Sequence, residues 1–323
     1  MAKQIQYNIS ALLLLAIILM VPAVSQAAGE EKAEIKSKNS TFISTADKPS
    51  ISTTAKPFIL TAAKPLIVTT IKPLAIIAKS AVGDAADVTY LLPANQAPHN
   101  FSLPVSALNK IAQADLVIWV GADFETRSAK TMAALASSKL ITALETEGHN
   151  AIAQGKPHQH SMENDPHIWL NPQSGNRLAA EIQSRLGLPI KQIISAEEVT
   201  QLRDTLTATM ASAQGKTYLT HHDAYGHFAE AFGLPLGLSI RDTSGGAQGA
   251  KSQYQLRKNI LQANVSCVFV EPQYHNKDAV IIAAEFSLPL IALDPQGQSQ
   301  PIHGNAYREF IAALVVQFKA CFQ

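Results

Sequence analysis

Apolar and polar positions follow three different patterns along the chain. The first is one apolar stretch, Ile9 to Val21, preceded by Lys3 with no acid and followed by Pro22 and the small residues around Ser25-Gln26-Ala27. The second begins at Thr45, where Lys-Pro pairs recur every eight residues at Lys48-Pro49, Lys56-Pro57, Lys64-Pro65 and Lys72-Pro73, among Thr, Ala and β-branched residues. A proline every eight residues rules out a continuous helix and limits any strand to a short or edge one. The third alternates short apolar runs with helical stripes. Val88 to Leu92 reads as a strand, Pro104 to Ala112 as a helix with proline in its first turn, and Leu116 to Val120 as a fully buried strand.

Ala180, Ile182 and Leu186 form an approximate helical stripe that Gly187-Leu-Pro189 breaks. Ser195 with Glu198 then makes a capping box ahead of the stripe Val199, Leu202, Leu206 and Met210. At 1.5 Å per residue that helix runs ~25 Å, enough to link two lobes. Beyond Gly215 the rhythm restarts with strand Thr217 to Thr220, helix Ala224 to Phe232, strands Val268 to Val270 and Leu290 to Leu293, and a final helix. The expected fold is α/β, with two lobes that each carry a mainly parallel sheet flanked by helices. The expected organisation is a signal peptide over 1–27, a repeat-containing tether over 28–67, an N-terminal lobe over 68–190, a linking helix over 191–214 and a C-terminal lobe over 215–323. Only the last repeat copy, around Val68 to Pro73, is expected in the folded core.

Composition narrows the function. The 323 residues are 47% hydrophobic, and 26 Lys+Arg against 25 Asp+Glu leave a net charge of +1. Such a chain has core for roughly two domains and no electrostatic reason to bind nucleic acid or an anionic membrane. The apolar start is shorter than the ~20 residues a membrane span needs, and its layout predicts export to the periplasm with cleavage near Ala27 or Ala28. No cysteine lies near that point to carry a lipid. The two cysteines of an exported chain read as a disulfide. Cys321 shares the inward face of the stripe Tyr307, Phe310, Ile311, Leu314, Val315 and Phe318, and Cys267 opens the buried run to Val270.

The histidines matter by position. His99 and His222 follow strands and Asp294 ends one, so all three are delivered beyond the carboxyl ends of strands, where open α/β sheets bind ligands. His167 lies in Asp165-Pro-His-Ile-Trp-Leu-Asn-Pro172, stiffened by two prolines. Imidazole nitrogens and a carboxylate from distant segments build a four-coordinate site for an ion such as Zn²⁺ without any local motif. His227, His275 and His303 read as surface or hydrogen-bonded residues, and His221 would point away from His222 if the strand continues. The polar segment 145–165, with His149, His158, His160 and Glu163, reads either as a loop that holds metal loosely or as an ordinary exposed loop. The chain has no His-Glu-x-x-His, Gly-x-Ser-x-Gly or phosphate-cradling Gly-x-x-x-x-Gly-Lys run, which disfavours an exported zinc hydrolase and predicts that it is not an enzyme.

Six segments now carry a resemblance: Leu91-Leu-Pro-Ala-Asn-Gln-Ala-Pro-His-Asn-Phe-Ser102, Ala114-Asp-Leu-Val-Ile-Trp-Val-Gly121, Asp165 to Pro172, His222-Asp-Ala-Tyr-Gly-His-Phe228, Cys267-Val-Phe-Val-Glu-Pro-Gln273 and Leu293-Asp-Pro295. In this order they resemble the ZnuA family of periplasmic zinc-binding proteins, the solute-binding components of bacterial zinc-uptake ABC transporters. The resemblance covers about Val68 to the C-terminus. It implies two lobes joined by a long, rather rigid helix, with one Zn²⁺ carried as cargo in the cleft between them. It carries over His99, His167 and His222 as zinc ligands and Asp294 as a carboxylate ligand or near neighbour. It also implies a monomer that works with a membrane permease and its cytoplasmic ATPase. Histidine at 222 looks like the zinc branch, since manganese and iron relatives typically have Glu there; a manganese- or iron-binding protein or a metal-dependent adhesin of the same fold are the alternatives. Pro98 stands where some relatives have an acid, which leaves Asp294 or water as fourth ligand. The loop before the second ligand is sparse in histidine, and the stretch between the second and third ligands is shorter than in many relatives.

Overall fold

The structure is a computed structural model that describes residues 63–93, 96–147 and 165–323. The expected signal peptide, the first two Lys-Pro pairs and most of segment 145–165 lie outside the described residues.

The first sheet is built from β1 (Leu66–Thr69), β2 (Asp87–Tyr90), β3 (Leu116–Trp119) and β4 (Leu140–Thr142), all parallel, in the order β2-β1-β3-β4. Its inner strands read Leu-Ile-Val-Thr and Leu-Val-Ile-Trp without alternation, as expected where helices cover both faces of a parallel sheet. The third repeat copy thus enters the fold as well, because Leu66 directly follows Lys64-Pro65. The fourth opens α1 (Lys72–Val82), where Pro73 occupies the first turn and costs no helical hydrogen bond.

The second sheet repeats the plan. It contains β5 (Lys216–His222), β6 (Leu238–Arg241), β7 (Asn264–Val270) and β8 (Leu290–Ala292), all parallel, in the order β6-β5-β7-β8. In each sheet the chain winds first to one side and then to the other. The resulting switch points lie between β1 and β3 and between β5 and β7, the places where such sheets open a crevice at their carboxyl ends.

Further helices are α2 (Val105–Gln113), α3 (Ala129–Ala133), α4 (Pro172–Arg185), α5 (Ala196–Ser212), α6 (Gly226–Phe232), α7 (Ala250–Gln262), α8 (Lys277–Phe286) and α9 (Ala306–Lys319). The linking helix is α5, and the Ser195–Glu198 capping box is formed at its start. It begins later than residue 191 because the preceding chain is tied to α4. Lys191 N donates to Gln183 Oε1 at 2.9 Å, and Ile193 N donates to Asn176 Oδ1 at 2.9 Å.

The two lobes share one core. A single apolar cluster runs from Ile67 and Ile118 of the first sheet to Phe269 of the second, through Phe310, Leu314 and Phe318 of α9. The last helix therefore serves both lobes. Tyr307 Oη donates to the carbonyls of Trp169 and Asn171, each at 3.0 Å, and Tyr307 N donates to Ser80 Oγ. The expected disulfide is present, joining Cys267 of β7 to Cys321 just beyond α9, with Cα atoms 5.4 Å apart.

Tyr307 also explains a glycine inside α4. A Cβ on Gly175 would lie 2.2 Å from Tyr307 Oη and 2.3 Å from its ring. Gly175→Ala gains helix propensity of about 1 kcal/mol but must push the tyrosine off both carbonyls. We expect the net effect to be destabilising by about 2 kcal/mol. A thermal unfolding midpoint equal to or above that of the unmodified chain would refute this packing.

Candidate metal centre

Three segments bring one imidazole each to the same point. His99 sits in a short 3-10 turn, Pro98–Asn100, that follows β2. His167 precedes the turn Ile168–Leu170, whose three side chains are all buried and anchor it. His222 is the last residue of β5, since the strand runs two residues past the expected Thr220. One donor atom of each lies within 4.8 Å of the other two. The rings stand edge to face, with centroids 5.1 Å apart for His167 and His222, 5.4 Å for His99 and His167, and 6.0 Å for His99 and His222.

Two carboxylates set the direction of these rings. Asp165 Oδ1 lies 2.7 Å from His167 Nδ1, and Glu271 Oε1 lies 2.6 Å from His222 Nδ1. A carboxylate accepts, so each Nδ1 carries the hydrogen and each Nε2 presents a lone pair. Those two Nε2 atoms face one another at 3.3 Å. Two neutral rings in this tautomer have no hydrogen to share there, and the facing lone pairs call for a cation. The spacing is also suitable, because zinc–nitrogen bonds of ~2.0–2.1 Å give a tetrahedron with edges of about 3.3–3.4 Å. His99 Nε2 is buried and without a hydrogen-bond partner, and supplies a third donor.

The shell around the rings is apolar. Phe124 stands edge-on to His99 at 4.4 Å and to His167 at 5.6 Å, and Trp169 packs on His167 at 5.2 Å. Burial and the neighbouring imidazoles push His99 down to about 2. Burial also lowers His167, although Asp165 opposes it. Burial tends to raise the Asp165 carboxyl, but the charge and hydrogen bonds of His167 outweigh it and hold Asp165 below its usual range. His99 and His167 are thereby kept neutral, which is the form that binds metal.

This gives a pH dependence of definite sign for the metal-free chain. Burial depresses His99, His167 and also His221, the last to about 4. Below about pH 6.5 the unfolded chain therefore binds protons that the folded chain refuses, and stability falls with pH. Glu125 acts oppositely, since burial raises it to about 7 and the folded state takes its proton first. The histidines outnumber it. We expect stability to be retained above pH 6.5 and to fall by on the order of 2 kcal/mol per pH unit between pH 6 and 5. Urea midpoints that do not move over this interval would contradict it.

The chain matches the family model described as "Zinc-uptake complex component A periplasmic" over residues 67–321. It belongs to this ZnuA family. Family relatives named high-affinity zinc uptake system protein ZnuA include one from Haemophilus ducreyi, 28% identical over 278 residues, covering 76% of this chain and 89% of the relative. Another, from Yersinia pestis, is 28% identical over 282 residues, covering 76% and 88%. Solved structures share the fold. A ZnuA crystal structure superposes with a TM-score of 0.61 at 23% identity, over 80% of this chain and all of the other. The periplasmic zinc-binding protein TroA from Treponema pallidum gives 0.67 at 18%, over 80% and 99%.

Asp294, expected as a carboxylate ligand or near neighbour, does not join the three imidazoles of this ZnuA-family chain. Its Oδ1 accepts from Gln296 N at 3.0 Å and its Oδ2 from Gln298 N at 2.6 Å, so the loop turns the carboxylate inward on its own amides. Burial raises its carboxyl, opposed by those amides and by the nearby Lys72 charge. His227 donates from Nε2 to the Asp165 carbonyl, His303 pairs with Glu309, and His275 is exposed. His149, His158 and His160 lie outside the described residues. The residues that sequence reasoning missed are the two orienting carboxylates. Glu271 directly follows β7 at the second switch point, so the strand-end rule that singled out His222 applied to it equally.

Proposed function

We propose that the chain is a periplasmic solute-binding protein that captures Zn²⁺ between its lobes through His99, His167 and His222 and delivers it to an ABC permease driven by a cytoplasmic ATPase. Zinc is cargo here. The observation that carries the reading is the pair of Nε2 lone pairs, fixed by Asp165 and Glu271, facing each other at 3.3 Å. Water would take the fourth position, since Asp294 is not among the residues whose donor atoms stand within 4.8 Å of one another.

The site also suits an ion rather than an organic ligand. A cavity of about 730 Å³ does exist, but it is lined by polar residues such as Glu147, Arg177, Arg203 and Glu230, and none of the three imidazoles borders it. Protons compete with metal for imidazoles, and because burial lowers His99 and His167 that competition sets in only well below pH 6.5, so zinc binding should persist in mildly acidic solution. Three imidazoles hold zinc firmly without charge of their own, and the orienting carboxylates raise their basicity. Among the described residues no helix is long and apolar enough to cross a membrane.

The test is zinc titration of the purified chain against a chromophoric chelator. We expect a tight equivalent that His99→Ala abolishes or weakens severely. Asp165→Asn leaves all three imidazoles but frees the His167 tautomer, and we expect a 10- to 100-fold loss of affinity. Tight binding unchanged in His99→Ala would refute the assignment, and unchanged affinity in Asp165→Asn would refute the role of the carboxylate.

A further inference from the structure

Beside the imidazole trio lies a second set of donors that overlaps it at His222 and includes His221, which zinc capture at the cleft does not use. His221 is 2% exposed and Glu271 is fully buried, and with His222 they offer donor atoms within 4.8 Å of one another. His221 Nδ1 is buried and has no hydrogen-bond partner. So is Gln273 Oε1, while Gln273 Nε2 donates to Glu271 Oε2 at 2.6 Å. An unsatisfied polar atom in the interior forfeits its hydration with nothing in return, so such atoms point to a missing partner.

The loop that brings Glu271 here is fixed in place. Asn276 adopts a left-handed backbone, φ 50°, that lets its side chain close back on the loop. Its Oδ1 accepts from Glu271 N at 3.1 Å, and its Nδ2 donates to the carbonyls of Glu271 and Tyr274 at 2.7 and 2.8 Å. The Tyr274 ring covers His221 at 4.4 Å and His222 at 5.4 Å. The donors are thus held by rigid chain on both strands of the β5–β7 switch point.

We propose that His221, Glu271 and the Nδ1 side of His222 form an inner site for a second divalent transition-metal ion, with the His222 ring bridging it to the ion in the cleft. The donor set of imidazole nitrogen and carboxylate oxygen, with the Gln273 amide oxygen alongside, suits Zn²⁺ or Cu²⁺. When the inner ion enters, the His222 Nδ1–H bond breaks and its proton leaves to solvent. Metal bonds to Nδ1 and Glu271 Oε1 replace the hydrogen bond between them. The ion's two positive charges then meet one carboxylate and one imidazolate, the balance that a buried ion requires. The inner site fills after the outer one, because the inner ion must first displace the His222 Nδ1 proton from its hydrogen bond to Glu271. The inference goes beyond the proposed cleft site and shares with it His222 and the carboxylate that orients it, Glu271.

The experiment is stepwise addition of Cu²⁺ to the purified chain, followed by electron paramagnetic resonance. An imidazolate bridge couples two copper spins antiparallel. We expect the signal to grow to one equivalent and then to decline toward zero as the second is added. His221→Phe keeps an aromatic ring against Tyr274 and leaves Glu271 paired with His222 and Gln273. We expect it to take the first equivalent normally and to show no decline. Zinc-soaked crystals give a second readout, an anomalous peak beside His221 that the variant lacks. A wild-type signal that stops at one equivalent, or a second equivalent that adds signal and persists in His221→Phe, overturns the inner site and leaves the cleft site standing. Failure to bind the first equivalent would instead overturn the zinc-capture reading and the bridge with it.

Discussion

His222→Ala should weaken zinc binding by on the order of 10²-fold or more. Structural zinc sites are worth ~10–16 kcal/mol over four ligands, so one imidazole accounts for roughly 3 kcal/mol, and each 1.4 kcal/mol is a factor of ten. The same substitution harms the fold by a separate route. It removes the His222 donor from Glu271, a fully buried carboxylate that keeps Gln273 Nε2 and Tyr225 as side-chain partners. Taking the donor away from a buried carboxylate costs about 3 kcal/mol, because the acceptor stays behind unsatisfied. The two effects separate in the double variant His222→Ala/Glu271→Gln. Neutralising the acid should return most of the stability while the affinity stays low. Affinity that recovers together with stability would mean that His222 acts as a strut and not as a ligand.

Removing the disulfide should be the other large effect. The bridge closes a loop of 54 residues, for which chain entropy predicts about 4 kcal/mol at 25 °C. For a chain of this size that amounts to a drop of roughly 10 °C in Tm in Cys267→Ser/Cys321→Ser. Both sulfurs are buried beneath α9, so the paired serines also place hydroxyls in an apolar environment, which adds to the loss. The zinc equivalent should survive below the transition, because the bridge and the imidazole trio are held by different segments. A midpoint within 2 °C of the unmodified chain would show that the pairing contributes little.

Much of this arrangement could be read before the fold was known, for identifiable reasons. β3 and the core of β7 are continuous apolar runs, and the Ser195–Glu198 box marks the start of α5 chemically. β1 was obscured because it lies within the Lys-Pro repeat, where the regular prolines suggest an absence of structure. β4 and β6 are only three and four residues long and carry no usable period. At the site, the three histidines were legible from strand ends and from the resemblance of the segments around them. Asp294 was placed near them by the same logic. Sequence shows where a strand stops, but not that residues 294–298 curl so that the backbone amides of Gln296 and Gln298 claim both carboxylate oxygens. Glu271 and Asp165 were missed because an acid that orients a ligand leaves no spacing of its own. Asp165 sits two residues from His167, whereas Glu271 meets His222 across 49 residues.

The position of α9 bears on how the molecule is made. Synthesis proceeds from the N-terminus, yet α1 of the first lobe packs against a helix made only after both sheets. Until Tyr307 to Phe318 arrive, the first lobe exposes Ile76 and Ile77 and lacks the hydrogen bonds that hold Trp169 and Asn171 beside the histidines. The N-terminal lobe thus has no finished state of its own, and a chain truncated before α9 should be recognised as unfolded from its first strand onward. Cys321 follows α9 and meets Cys267 of β7, so the covalent lock can close only after α9 has been made.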